Sequence, residues 1–395
     1  MFHARFVKIG CVLAGSLALA TVGSRAAVIK ITDPTSVVMI VNRDSNDLAF
    51  MDIKSHKMVG SVFLGNNVNP HMVMMSPDGR YVVTGGTRAN KAYIVDTATL
   101  QLVKVIPVDF APEHLAFSPD GRWYYQGNPQ GDSITVIDMV SLSKVKTISG
   151  FKEPLNVTFT PDGSKAYVGN YGAHWIGVVD VRRHELMKKI QLAETPAFAK
   201  LDPDRYLGEI KGINIAMFSP DGKYLYAADG DLGVVTVIDP REDKVLKVIR
   251  VGANPWRIYM GHDGKYAITP NNGDNTISII DLKANKVAAT LEAGPDMTGV
   301  NFAAGKAFVI SSTTGFVYVY NMSTLRPAGR LKIGTNIQLE TATTDTADQK
   351  LYLADSTENA VVIINAKDQT FEKVFNVGLF PWGTHVMDSK DNYCH

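Results

Sequence analysis

The sequence has almost no cysteine. Cys11 and Cys394 are the two in 395 residues, which excludes a disulfide-stapled mini-protein. An excess of charge of one sign is lacking too. Forty basic side chains against 39 acidic ones leave a net charge of +1, and the lysines are spread without a basic block. Nothing therefore suggests the clustered positive surface of a nucleic-acid-binding protein. The signatures Gly-x-Ser-x-Gly, His-Glu-x-x-His, the glycine-rich phosphate loop and Cys-x-x-Cys-His are absent, which removes the standard motifs of hydrolase elbow, zincin, nucleotide site and attached c-type haem. What is present is an ordinary globular balance of 45% hydrophobic and 20% charged residues, enough for a large core.

The one long apolar run lies at the N-terminus. Arg5 and Lys8 precede an uncharged stretch from Ile9 to Gly23, and Ser24-Arg25-Ala26 supplies small residues at the positions a signal peptidase reads. The run is shorter than the ~20 residues needed to cross hydrocarbon. Residues 1–26 are therefore expected to be a secretory signal peptide and 27–395 an exported chain, periplasmic or secreted, with no membrane span after cleavage. Cleavage would remove three basic residues and leave a net charge of −2 with Cys394 as the single cysteine.

The strongest pattern is internal repetition. Ser76-Pro77-Asp78-Gly79 recurs as Ser118-Pro119-Asp120-Gly121, Thr160-Pro161-Asp162-Gly163, Ser219-Pro220-Asp221-Gly222 and, degraded, Gly261-His262-Asp263-Gly264, with aspartate spacings of 42, 42, 59 and 42. Each repeat reads as four short strands: an apolar stretch, the Pro-Asp-Gly turn, an aromatic-rich strand, an alternating strand ending in Asp or Asn, and a final polar strand. Four strands in about 40 residues is the arithmetic of a β-propeller blade. The third-strand endings Asp52, Asp96, Asp138, Asp180, Asp239, Asp281, Asn321 and Asn365 count eight. The first blade lacks an innermost strand, and Trp382 to Met387 forms an orphan with that character. The expected fold is all-β, a single eight-bladed propeller closed by N- and C-terminal strands sharing one blade, with seven blades and an irregular terminal strand set as the alternative. The 59-residue spacing marks an insertion loop at 194–211, carrying Phe198, Lys200, Asp202, Arg205 and Glu209.

The blade wording Lys165-Ala166-Tyr167-Val168-Gly169-Asn170 and Asn275-Thr276-Ile277-Ser278-Ile279-Ile280-Asp281 resembles the YVTN-type propeller repeat of bacterial exported proteins. Such a resemblance implies fold far more than function.

Propeller geometry sorts the histidines. Loops entering the first strand and those joining the second to the third lie on one face; the remaining turns lie on the other. His56, His184 and His262 fall on the second face and read as solvated turn residues. His71, His114 and His385 are expected at the start of first strands in three successive blades, and His174 in a second-to-third-strand loop, so the four converge on one funnel. Imidazoles suit copper or iron, which makes His71, His114 and His385 a candidate metal set, with channel histidines that are merely solvated or hydrogen-bonded as the other reading. Trp256, Arg257 and Trp382 open two other first strands, where an arginine and aromatic faces suit a planar anion.

Asn69-Pro70-His71-Met72-Val73-Met74-Met75-Ser76-Pro77-Asp78-Gly79 is also similar to the start of the haem-d1-binding propeller of cytochrome cd1 nitrite reductases and the exported proteins that mature haem d1. That resemblance implies eight blades and a histidine before this turn as axial iron ligand, here His71. The missing Cys-x-x-Cys-His departs from the reductase pattern. Two functions are thus expected. One is an accessory, non-catalytic propeller presenting its funnel to a ligand or protein partner. The alternative is a haem-d1-like tetrapyrrole or metal protein with His71 as ligand and His114, His174, His385 and Arg257 around the group.

Overall fold

The turn and the strand ends explain why the repeat folds as it does. In each Ser/Thr-Pro-Asp-Gly turn the hydroxyl donates to the Asp carboxylate, as in Ser76 to Asp78 at 2.5 Å, and Asp78 accepts the backbone N–H of Arg80 at 3.0 Å. The glycines adopt φ between +68° and +71°, which L side chains rarely tolerate. They also accept a neighbour: the place of a Cβ on Gly121 lies 3.4 Å from Pro77, and on Gly222 2.9 Å from Pro161. Each turn therefore nests on the proline of the preceding blade. The Asp or Asn ending every third strand caps the next turn, as Asp52 does for Ser55 N–H at 2.7 Å and Asn365 for Lys367 N–H at 3.0 Å. These aspartates are structural.

The computed structural model describes residues 31–192 and 211–391. Among them are eight four-stranded antiparallel sheets. Blade 1 combines Val37–Asn42, Asp47–Asp52 and Met58–Phe63 with the C-terminal Pro381–Val386 as its innermost strand. Blades 2 to 8 follow in order, with innermost strands Pro70–Met75, Leu115–Phe117, Pro154–Phe159, Ile213–Phe218, Tyr259–Met260, Met297–Ala303 and Leu339–Thr344. The eight-bladed count and the shared closing blade are as expected, which sets aside seven blades. The closure is a register from Val38↔Val386 to Val41↔Gly383, with a bulge at Asn42. Third strands are almost wholly buried between blades, while fourth strands such as Gln101–Pro107 and Glu185–Gln191 expose most positions. The segments assigned to the signal peptide, to most of the insertion loop and to Cys394 lie outside the described residues. No helix among the described residues is long and apolar enough to cross a membrane.

The three histidines expected to be solvated are not. His184 is buried, with Tyr125 Oη 2.7 Å from its Nδ1 and Trp123 edge-on at 4.5 Å. His56 lies between Glu372 at 2.6 Å and Lys350 at 3.1 Å. His262 bridges Asp348 at 3.1 Å and Asp391 at 2.8 Å. The reason is common to all three. Turns on this face lie close to the neighbouring blade, so a polar turn residue meets side chains from across the seam.

Asp391 completes the closure. It is fully buried and accepts from Asn301 at 2.7 Å and Thr344 at 2.9 Å besides His262, so the segment after the closing strand is tied to blades 6, 7 and 8. Asp391→Ala is expected to lower unfolding free energy by about 3–5 kcal/mol, since it strands buried donors and a buried imidazole. A urea titration checks this; a loss under 1 kcal/mol contradicts it.

Candidate functional site

One mouth of the channel is built from loops entering first strands and loops between second and third strands. An open cavity of about 470 Å³ lies there across blades 1 to 3, lined by Arg43, His71, Arg88, Phe110 and Glu113 among others. His71 is the second residue of its strand, and its ring lies 5.0 Å from that of Trp382, tilted by 35°. Trp382 holds the equivalent position in blade 1. Arg43 stacks over Trp382 at 4.3 Å and donates to Asn69 at 3.2 Å.

His71 Nδ1 is buried and has no hydrogen-bond partner. Burial, reinforced by Arg43 and Arg257, pushes the imidazole down to about 3. The ring is therefore neutral at physiological pH, with its nitrogen lone pair available. Burial also lowers Arg43, and it raises Glu113 and, to about 7, Glu340. Glu340 sits on the innermost strand of blade 8 and accepts from Ser356 at 2.8 Å. Around this mouth the unpartnered buried atoms include Arg43 Nε, Trp256 Nε1 and Trp382 Nε1, all donors. Such a lining asks for acceptors.

Other expected site residues go elsewhere. His114 is buried just before its strand, with Nε2 3.4 Å from Arg257 Nη2. Arg257 is itself only 4% exposed and lies below the rim, not on it. His385 was expected to begin a first strand. It is instead the fifth residue of Pro381–Val386, three positions beyond Trp382 and so roughly 10 Å further along the channel at ~3.3 Å per residue. It lines a cavity of about 670 Å³ at the opposite mouth with Met74, Phe117, Thr158 and Met217. Consequently His71, His114 and His385 do not form a common ligand set. Among the described residues the group whose ligand atoms come within 4.8 Å of one another is His174, Asp229 and Asp231.

His174 does sit in its second-to-third-strand loop. Its Nδ1 is 2.8 Å from Asp229 and its Nε2 3.9 Å from Asp231, both on blade 5. Asp231 also accepts the Gly212 N–H at 2.8 Å, at the end of the insertion. The hydrogen bond that His174 donates to Asp229, helped by both carboxylate charges and opposed by burial, raises the His174 pKa.

Sequence reading missed Arg43, Glu113, Glu340, Asp229 and Asp231. Two had a visible signal. Glu340 is a lone acid within an otherwise uncharged innermost strand, and Asp229 ends a second strand where blades 3, 4 and 6 have Asn128, Asn170 and Asn271. Arg43 had none, because loop arginines are common.

Two titrations follow. Since Glu340 is raised in the folded state, its favourable contribution is full below about pH 4.5 and is lost as pH rises through about 7. Glu340→Gln should flatten the stability–pH curve between these values; an unchanged slope contradicts this. His174 is also raised, so its contribution is full below about 6.5 and fades as pH rises through its higher folded value. Asp229→Asn should move its NMR titration to lower pH, and no movement would show that Asp229 does not hold the proton.

Residues 212–378, covering blades 5 to 8, match the family model described as cytochrome D1 heme domain, and residues 64–229 match lactonase, 7-bladed beta-propeller. No curated protein matches. Among solved structures, the dihydro-heme d1 dehydrogenase NirN in complex with DHE superposes with a TM-score of 0.74 at 19% identity, over 90% of this chain and 76% of that one. Hydrazine synthase of Kuenenia stuttgartiensis gives 0.57 at 22% identity, over 77% and 97%. A functionally unknown protein from Desulfotomaculum acetoxidans DSM 771 gives 0.57 at 11%, over 89% and 98%. At these identities the likenesses show the fold, and the chain is an eight-bladed β-propeller whose C-terminal half is similar to cytochrome D1 heme domains.

Proposed function

We propose that the chain is an exported protein that holds an iron tetrapyrrole of the haem d1 class, or a precursor of it, at the mouth of the channel beside His71, with His71 as the axial ligand. The observation that carries this reading is His71 itself. It is a half-buried imidazole, its Nδ1 enclosed and unpartnered, kept neutral beside two arginines and braced by Trp382, in a mouth whose orphaned atoms include the donors of Arg43, Trp256 and Trp382. That donor set fits a planar ligand bearing carboxylates and coordinating through a metal. The partial match to cytochrome D1 heme domains and the shared fold with NirN favour it over a non-catalytic docking surface.

Such a group supplies redox and ligand-exchange chemistry at its iron when bound. The chain's own residues do the rest. Trp382 fixes the plane of the His71 ring, and Arg43 and Arg88 line the same cavity as cationic partners for carboxylates. Glu340, buried and balanced near neutrality, can hold or release a proton beside the Arg43 guanidinium. His174 and Asp229 form a second proton-holding pair near the insertion. His114, Arg257 and His385 are not among the residues that would touch the ligand.

The test is reconstitution of the purified chain with extracted haem d1, followed by absorption. A stoichiometric spectral shift is expected, with affinity reduced at least ~10-fold in His71→Ala and the spectrum restored by free imidazole in His71→Gly. A wild-type chain that leaves the pigment spectrum unchanged overturns the reading, as does a His71→Ala variant binding with equal affinity.

A further inference from the structure

Arg257 is peculiar in its reach. It belongs to blade 6, yet its Nη2 approaches Nε2 of His114 on blade 3 to 3.4 Å. Blades 4 and 5 lie between these two in the ring, so the contact passes through the central channel and not along a blade seam. The guanidinium is thus a bolt across the axis, beneath the mouth that His71 opens onto.

The bolt carries uncompensated charge. Arg257 is 4% exposed, and its Nε and Nη1 have no hydrogen-bond partner. Neither Arg257 nor Arg43, whose Nε is also unpartnered, forms an ion pair with a carboxylate among the described residues. The aromatic face of Trp256 at 4.8 Å and the Tyr259 hydroxyl are its other neighbours. The carboxyl of Glu113 lies within electrostatic reach and is raised by burial, but it makes no ion pair with Arg257, and the neighbouring His71 is neutral. A buried guanidinium with idle N–H groups on an open axis is costly unless something negative joins it.

We infer that the channel floor at Arg257 is a binding site for one small monoanion, of the size of chloride, bromide or formate, which accepts the idle Arg257 N–H groups beneath the mouth. Arg257 is not among the residues that line the cavity assigned to the tetrapyrrole. The site does not depend on that assignment, because the unpartnered Arg257 N–H groups are there without any ligand at the mouth. An anion at this point would compensate the cationic floor and fix Arg257 in its crossing position.

The experiment uses the full chain without pigment. Replacing sodium gluconate by sodium bromide at equal ionic strength should raise the melting temperature by roughly 2–4 °C, and the rise should vanish in Arg257→Met while persisting in the rim variant Arg88→Met. Crystals of the wild-type chain soaked in bromide should show an anomalous peak within hydrogen-bond reach of Arg257, which keeps the test independent of how Arg257→Met folds. A wild-type chain indifferent to bromide, or an anomalous map with peaks only on the outer surface, overturns the inference. Neither outcome bears on whether His71 binds haem d1, which is read separately by pigment absorption.

Discussion

Everything in this molecule depends on one antiparallel pairing, that of Val37–Asn42 with Pro381–Val386. Without it blade 1 would have three strands and the ring would lose its innermost strand at that position. Because the pairing joins residues 339 to 348 positions apart, its loop-closure entropy is the largest in the fold. The structure secures it twice. The strands themselves pair, and the segment beyond them is pinned by Asp391 to Asn301, Thr344 and His262 on three other blades. The closing strand also delivers Trp382 to the side of His71, so ring closure and site assembly are one event.

The two faces of the ring share the same repeat but differ in what they can do. On the face of the Pro-Asp-Gly turns, polar groups are consumed locally: turn hydroxyls bind their own aspartates, and turn prolines cover the next blade's glycine. The histidines there find partners across seams. On the opposite face the loops vary in sequence from blade to blade, and their side chains converge on the axis while leaving several buried polar atoms without partners. Orphaned donors on arginines and tryptophans gather there, and burial raises the carboxyls of Glu113 and Glu340 that face the same mouth. The asymmetry is physical in origin. A repeat can satisfy identical groups by periodic contacts, whereas unique side chains around an axis have no such contacts to rely on, and those left without a partner are open to a ligand.

Histidine placement shows how far periodicity reaches. His71 and His174 were placed on the correct face by strand order alone, because the turn before or after each strand decides the face. His385 was misplaced by three residues within its strand, which moves a side chain from one mouth of the channel towards the other. A strand boundary is a small error in sequence and a large one in a channel, since every residue advances the chain by about 3.3 Å. Arg257 was assigned to the rim from its place before a first strand; the long side chain extends across the axis instead, and no spacing rule predicts where a flexible stem ends.

The sequence by itself determined the eight blades, their order, the strand that each Asp or Asn ends, and the need for the two ends of the chain to meet. These are local consequences of turn chemistry and alternation, repeated every ~42 residues, so each blade confirms the next. Only the tertiary structure decided which unique side chains meet. Curling the repeat into a ring brings Arg43, His71, Trp382, Arg257 and Glu340 from four blades to one axis, and that convergence depends on ring closure and side-chain reach, neither of which leaves a period in the sequence.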